Sequence, residues 1–183
     1  APVLFYGEEI GMAENLAIPG RLSVRSPMQW TPERHGGFSS APMDRWSRPM
    51  VTGRRWGPAA VNAADQDRDP ASLLNWMQRL IDRRRQTPEI AFGACSVLPL
   101  AQASLLALRY DWDEHTVLIL HNLAAEPARA ACTIADATGW AGFGDLLGEG
   151  AWTLGRDGAF ALDLAGYGFR WLRVRHREIR PRG

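Results

Sequence analysis

Lysine is missing altogether from these 183 residues, so all 21 basic positions are arginine. Arginine suits fixed, bidentate hydrogen bonding, yet its exclusive use here reads mainly as compositional bias. Surplus charge is missing too, because 21 basic residues against 20 acidic ones leave a formal net charge of +1. That excludes a global field able to gather nucleic acid or an anionic membrane surface. Cysteine is scarce: Cys95 and Cys132 have no CxxC spacing and read as buried free thiols. The four histidines, His35, His115, His121 and His176, show no ligand spacing such as HxxxH, so no structural zinc is expected. No stretch approaches the roughly 20 apolar residues of a membrane span, and neither a signal peptide nor an internal repeat is visible. These absences point to a cytoplasmic protein with a real core and neither nucleic acid nor membrane as a partner.

What is present falls into four styles along the chain. Residues 2–7 open with a continuous apolar run, Pro2 to Tyr6, which suits a strand covered on both faces as in a parallel sheet. Such a strand at the very start suggests a piece of a larger protein. Residues 8–69 then show little period, carry much of the Pro and Gly, and include Trp30, Phe38, Trp46 and Trp56. A stretch that long without regular structure is uncommon unless functional or disordered, and its aromatics argue against disorder. Asp69 as cap and Pro70 at the first helical position predict a helix over 70–86. Leu73, Leu74, Met77, Leu80 and Ile81 form its apolar face, and Arg83 to Arg85 favour the negative end of its dipole. Over 91–175, short β-type runs at 96–100, 104–110, 116–120, 130–134, 159–164 and 168–174 predict an antiparallel sandwich, with hairpin turns at 111–114 and 155–158. A flexible basic tail is expected over 176–183. The fold class is therefore α+β, with a first region over 1–90 and a β domain over 91–175.

One stretch fits none of these periods. "VRSPMQW", residues 24–30, neither alternates nor repeats at helical spacing, and reads as a shaped loop of the kind that carries binding residues. With "VLFYGEEIGM", "HGGFS" and "RDPASLLNWMQRLIDRRR", it resembles the C-terminal part of the α-amylase superfamily (glycoside hydrolase family thirteen). The trehalose synthase branch is the most similar, and the α-glucosidase and oligo-1,6-glucosidase branch is next. "VNAADQDRDPASLLNWMQRLIDRRR" and "GYGFRWLRV" favour the former. The resemblance implies the last β/α unit of a (β/α)8 barrel followed by an antiparallel β domain. Residues 2–7 would be the eighth barrel strand, and the loop after it would lie at the barrel mouth, where such enzymes place their chemistry.

The resemblance also implies roles. Arg25 would hold a hydroxyl of the glucose unit beside the cleaved bond; the alternative is a structural salt bridge under the loop. Gln29, Trp30 and Phe38 join Arg25 as candidate substrate-binding residues. Trp30 would either stack on a sugar or, the preferred reading, plug a gap, and Phe38 would line the entrance. Glu8 and Glu9 are read as pins of the loop. As neighbours on a strand they would face opposite ways, so they cannot be a retaining pair about 5 Å apart. No catalytic residue is assigned, because the nucleophile Asp, the acid Glu and the third Asp of the family belong to earlier barrel strands. The chain alone is therefore expected to be inactive. The implied substrates are maltose, trehalose and short α-glucosides, and a homo-oligomer is left open. No cofactor is expected in this chain, while the calcium-binding insert of many members would precede residue 1. The alternatives are hydrolysis of short α-glucosides, or a non-catalytic sugar-binding or assembly module using Trp112, Trp140, Trp152 and Trp171. Arginines of the tail (Arg175, Arg177, Arg180, Arg182) as a nucleic-acid contact are disfavoured by the near-neutral domain behind them.

Overall fold

A computed structural model describes residues 2–177. The chain divides into two compact units, Ala1–Ile81 and Asp82–Gly183.

In the first unit the strand expected over 2–7 is not formed; these residues carry no ladder. Local acceptors take up the donors a strand would spend on its neighbours. Phe5 N–H donates to Glu8 Oε2 at 3.0 Å, and Gly7 N–H donates to Glu9 Oε2 at 2.7 Å. Glu8–Ile10 then forms a 3-10 turn between Gly7 and Gly11, both left-handed, so Glu8 and Glu9 are not strand neighbours at all. A buried parallel strand needs partners beside it, and every described strand belongs to the second unit.

The irregular segment is more ordered than its sequence suggests. It contains two further 3-10 turns, Gly20–Leu22 and Met43–Arg45, and one unexpected helix, α1 (Ala63–Arg68). Asn62 caps α1 through Oδ1, which accepts from Asp65 N–H at 2.8 Å, while its Nδ2 donates back to Asp65 Oδ2. The first bond is an N-cap; the second is a side-chain bond that fixes the capping amide in place. Helix α2 runs Leu73–Arg85, three residues later than the expected start. Asp69 Oδ1 instead accepts from Ala71 N–H at 2.9 Å in a turn, and Ser72 Oγ caps the helix by accepting from Asn75 N–H at 3.2 Å. No residue of the apolar stripe of α2 is fully buried: Leu73 and Ile81 are exposed, and Leu74, Met77 and Leu80 are half-buried.

The second unit begins with the last turn of α2, then holds a short helix, α3 (Glu89–Phe92), and eight strands: β1 (Ala94–Leu98), β2 (Leu105–Trp112), β3 (His115–Asn122), β4 (Ala128–Thr133), β5 (Trp140–Asp145), β6 (Ala151–Thr153), β7 (Ala159–Leu164) and β8 (Phe169–His176). A six-stranded antiparallel sheet in the order β1-β2-β3-β8-β5-β6 faces a two-stranded β4-β7 ribbon. Between them Leu118, Leu120, Phe143 and Leu172 pack against Ala130, Phe160, Leu162 and Leu164. Each large side chain buried there contributes about 1.5–3 kcal/mol relative to exposure. The Phe143 and Phe160 rings, 5.0 Å apart, join the two sheets. β3 reads as a continuous apolar run because both its faces are covered: Val117 and Ile119 pack with Leu146 and, from α3, Ile90.

Several expectations are corrected here. β5 and β6 were hidden by glycine; Gly142 sits at a bulge where an added Cβ would collide with the Trp152 carbonyl. The 155–158 turn is tight, with Gly155 N–H donating to the Ala159 carbonyl at 2.8 Å. It joins strands of different sheets, however, so it is not a hairpin. Cys95 is exposed because β1 is an edge strand, whereas Cys132 is half-buried and burial pushes its thiol pKa up; neither is in a disulfide. Trp140 is buried and Trp112, Trp152 and Trp171 are half-buried, so these four form no open aromatic platform. Of the expected tail, His176 closes β8, Arg177 Nε donates to the Trp140 carbonyl at 3.0 Å, and residues 178–183 lie outside the described residues. No described helix is long and apolar enough to cross a membrane.

One charged network yields a prediction. Arg109 Nε contacts both Asp111 oxygens at 2.8 and 3.0 Å, its Nη1 donates to Asp136 Oδ1 at 2.7 Å, and its guanidinium lies 5.2 Å from the Trp140 ring centre. Hydrogen bonding to Arg109 holds the Asp136 carboxyl below the usual carboxylate range. A depressed folded pKa stabilises above the unfolded value and is lost as pH falls through the folded one. Asp136 is largely exposed, so Asp136→Asn is expected to cost at most about 1 kcal/mol at pH 7. That cost should vanish well below pH of about 3.9. Melting both proteins across this range checks it; a difference that persists in acid would sink the assignment.

Candidate functional site

The loop motif is held open by its own backbone. The Gln29 and Trp30 carbonyls accept from Ala63 N–H at 3.0 Å and Ala64 N–H at 2.9 Å, in the first turn of α1. Those donors have no partner inside the helix, so the start of α1 serves as a socket for the motif. Burial along the motif does not alternate: Ser26, Pro27, Met28 and Gln29 are all buried, and the direction changes only at Trp30. Gln29 is wholly buried, and its Nε2 donates to the carbonyls of Trp56 and Val61. Trp30 faces outward with 51% of its surface exposed.

A second turn sets the opposite wall. Trp30 N–H and Thr31 N–H both donate to the Gly36 carbonyl, at 2.7 and 3.0 Å. Gly36 and Gly37 are both left-handed, and a Cβ on Gly37 would fall 2.7 Å from Thr31 Oγ1, so this reversal demands glycine. It delivers Phe38 to a cluster in which its ring lies 5.3 Å from Trp46, and His35 meets Trp46 edge-on at 5.4 Å. Trp46 Nε1 donates to the Ala41 carbonyl at 3.0 Å.

Between these walls lies a cavity of about 610 Å3, lined among others by Arg25, Trp30, Phe38, Trp46 and Glu9. Tyr6 joins it and donates its hydroxyl to the Ser26 carbonyl at 2.9 Å. Arg25, Arg45 and Arg48 all reach the cavity, against the single carboxylate of Glu9. The Arg25 side chain is exposed and makes no hydrogen bond or ion pair among the described residues, so the salt-bridge alternative has no partner here. A guanidinium with five unspent donors beside aromatic faces is suited to hydroxyl-rich ligands.

Of the four candidate residues, Arg25, Trp30 and Phe38 come together and Gln29 does not. Gln29 fastens the loop from behind, and Trp30 lines the cavity. Glu8 and Glu9 make the pinning bonds expected of them, though Glu9 also borders the cavity. Tyr6, Arg45, Trp46 and Arg48 were missed as site residues. "DRWSRP" carries the same signal as the motif, arginine and tryptophan without period beside proline. Among the described residues no group of three His, Cys, Asp or Glu side chains is placed to hold a metal.

Residues 1–93, just over half of the chain, match the α-amylase catalytic domain family. The chain belongs to the α-amylase family. Residues 115–173 match the sucrose hydrolase-like C-terminal domain family. Among family relatives, the trehalose synthase of Pimelobacter sp. (strain R48) is 32% identical over 178 residues, covering 95% of this chain and 31% of the relative. The trehalose synthase/amylase TreS of Mycobacterium tuberculosis is 34% identical over 184 residues, covering 98% and 30%. The chain thus spans about a third of the length of these relatives. The solved α-glucosyl transfer enzyme XgtA superposes with a TM-score of 0.68 at 23% identity, covering 92% of this chain and 32% of that one. The α-amylase from H. orenii gives 0.66 at 20% identity, covering 93% and 31%. The fold is the end of an α-amylase catalytic domain followed by an antiparallel β domain.

Proposed function

We propose that this chain is the C-terminal part of a retaining α-glucan-active enzyme that interconverts maltose and trehalose in the cytoplasm, and that Arg25 binds the glucosyl unit. The observation that carries this reading is the unpaired Arg25 guanidinium on an aromatic-walled cavity. Alignment with trehalose synthases over 95% or more of the chain supports it.

In the proposed reaction a carboxylate attacks the anomeric carbon of the non-reducing glucose, and the bond to O4 of the second glucose breaks as an acid gives O4 a proton. The freed glucose turns in place. Its anomeric hydroxyl attacks the glucosyl-enzyme, losing its proton to the same group, now a base, and the ester bond breaks. Arg25 contributes binding only; the nucleophile, acid and third carboxylate lie outside these 183 residues.

The test is incubation of the full-length protein with maltose, followed by chromatography, with the 183-residue chain alongside. Trehalose in excess of glucose from the former and no turnover by the latter are expected. Glucose alone would assign a hydrolase. Trehalose made by the short chain would mean that it holds the catalytic carboxylates after all.

A further inference from the structure

We infer that Tyr6 is a positioning residue, whose hydroxyl sets where Arg25 stands by holding the Ser26 carbonyl; the inference rests on the functional reading above. Residues 24–28 are tied down sparsely. Among the described residues their backbone makes one hydrogen bond within its own turn, from Arg25 N–H to the Leu22 carbonyl at 3.1 Å. It makes one beyond that turn, the 2.9 Å bond that the Tyr6 hydroxyl donates to the Ser26 carbonyl. The buried Ser26 hydroxyl finds no partner among the described residues and adds no anchor of its own. Ser26, Pro27 and Met28 are buried, but apolar packing is non-directional and does not fix a register. The other attachments lie at either end, where the Ser23 carbonyl accepts from Asn15 N–H at 2.9 Å and the Gln29 carbonyl from Ala63 N–H at 3.0 Å. Arg25 therefore stands on a span between two supports, with Tyr6 under its middle.

The surroundings of Tyr6 give its hydroxyl this weight. The side chain lines the cavity beside Arg25, and it also lines a second cavity, of about 480 Å3, with Phe5, Val24 and Trp56. The residue is 45% exposed, and the Phe5 ring lies 4.5 Å from its own. Packing that open leaves the ring room to swing, so the hydroxyl bond is what fixes it. Val24 lines the second cavity, whereas Arg25 and Ser26 line the first, so the chain crosses from one to the other where Tyr6 holds it. A phenol carries a single O–H proton, and here the Ser26 carbonyl takes it. No donor is left on that hydroxyl for a sugar, so its effect on substrate passes through Arg25. A displacement on the order of 1 Å in a group that orients substrate is enough to slow a reaction, which gives this one hydrogen bond a kinetic effect.

The test is a double-mutant cycle of Tyr6→Phe and Arg25→Ala in the full-length protein, read as kcat/KM for maltose consumption so that isomerisation and hydrolysis both count. Tyr6→Phe keeps the ring and removes only the hydroxyl. Alone it is expected to lower kcat/KM about three- to tenfold, the worth of one hydrogen bond. In the Arg25→Ala background the same change should alter kcat/KM by less than about twofold, because the residue it positions is gone. A tyrosine that merely supports the fold would not distinguish the two backgrounds. An equal loss in both, or no loss in either, would overturn the inference and leave the functional reading standing. An unaltered full-length protein inactive on maltose, or an Arg25→Ala variant as active as the unaltered protein, would overturn the functional reading and the inference with it.

Discussion

Replacing Arg173 with alanine is expected to destabilise the β unit by about 3–5 kcal/mol, the cost of stranding a buried charge. Glu89 opens α3 with a side chain only 2% exposed, and both its oxygens are taken by Arg173, through Nε at 2.9 Å and Nη2 at 3.1 Å. Nη2 also donates to the Gln86 carbonyl at 3.2 Å. Arg173 sits on β8 opposite Val117 of β3, in the middle of the large sheet. The pair therefore clamps α3 over the second hydrophobic cluster, where Ile90 meets Val117 and Ile119. Without the guanidinium, the Glu89 carboxyl is left buried and unpaired, or α3 must lift away. Glu89→Gln keeps the shape and one acceptor and should cost less. A double change, Glu89→Leu with Arg173→Met, should recover much of the loss, because a buried pair replaced by apolar groups is often neutral. Urea unfolding of these variants beside the unchanged protein checks the order of the losses. If Arg173→Ala shifts the midpoint by less than about 1 kcal/mol equivalent, the pair does not clamp α3.

Nothing in the sequence announces that pair, since its partners stand 84 residues apart and "TPEI" reads as a helix stop. Local patterns served better where chemistry repeats. The alternation Phe160, Leu162, Leu164 marks β7 because one face alone is buried, and the run from Val117 to Leu120 marks β3 because both faces are. β5 escaped because Gly142 and Gly144 look like breakers, yet Gly142 lies where the neighbouring strand approaches too closely for a side chain, and Gly144 is simply paired within the sheet. The start of α2 was misread for a related reason. Asp69 and Ser72 can each cap, and only the hydrogen bonds of Ser72 to Gln66 and Asn75 decide between them. The site shows the same division. Arg25, Trp30 and Phe38 were legible through the resemblance of their aperiodic stretches to the α-amylase family. Gln29 in the same motif turned inward with Ser26, Pro27 and Met28 before it, held by the distant carbonyls of Trp56 and Val61 that no local pattern announces. Trp46 was passed over because its place beside Phe38 on the cavity depends on the reversal built by Gly36 and Gly37.

Arg25→Ala should separate binding from stability. In the full-length protein it is expected to lower kcat/KM for maltose by about 10- to 100-fold, the worth of hydrogen bonds to a charged group. The same change should leave the melting of the chain within about 0.5 kcal/mol, as for an exposed side chain away from structural features. The two expectations have one cause. The Arg25 guanidinium spends no donor on the described residues, so its donors remain for a ligand and its removal strands nothing. Arg25→Lys should rescue little, because an ammonium presents a point charge where a planar fork meets paired hydroxyls. A structural salt bridge predicts the reverse: stability lost on mutation to alanine, and much of it restored by lysine. Loss of stability by more than about 1 kcal/mol in Arg25→Ala, with lysine restoring it, would move this residue from the sugar to the scaffold. Loss of activity in a protein that melts unchanged would keep it on the glucosyl unit, since only an interaction made with substrate disappears without cost to the fold.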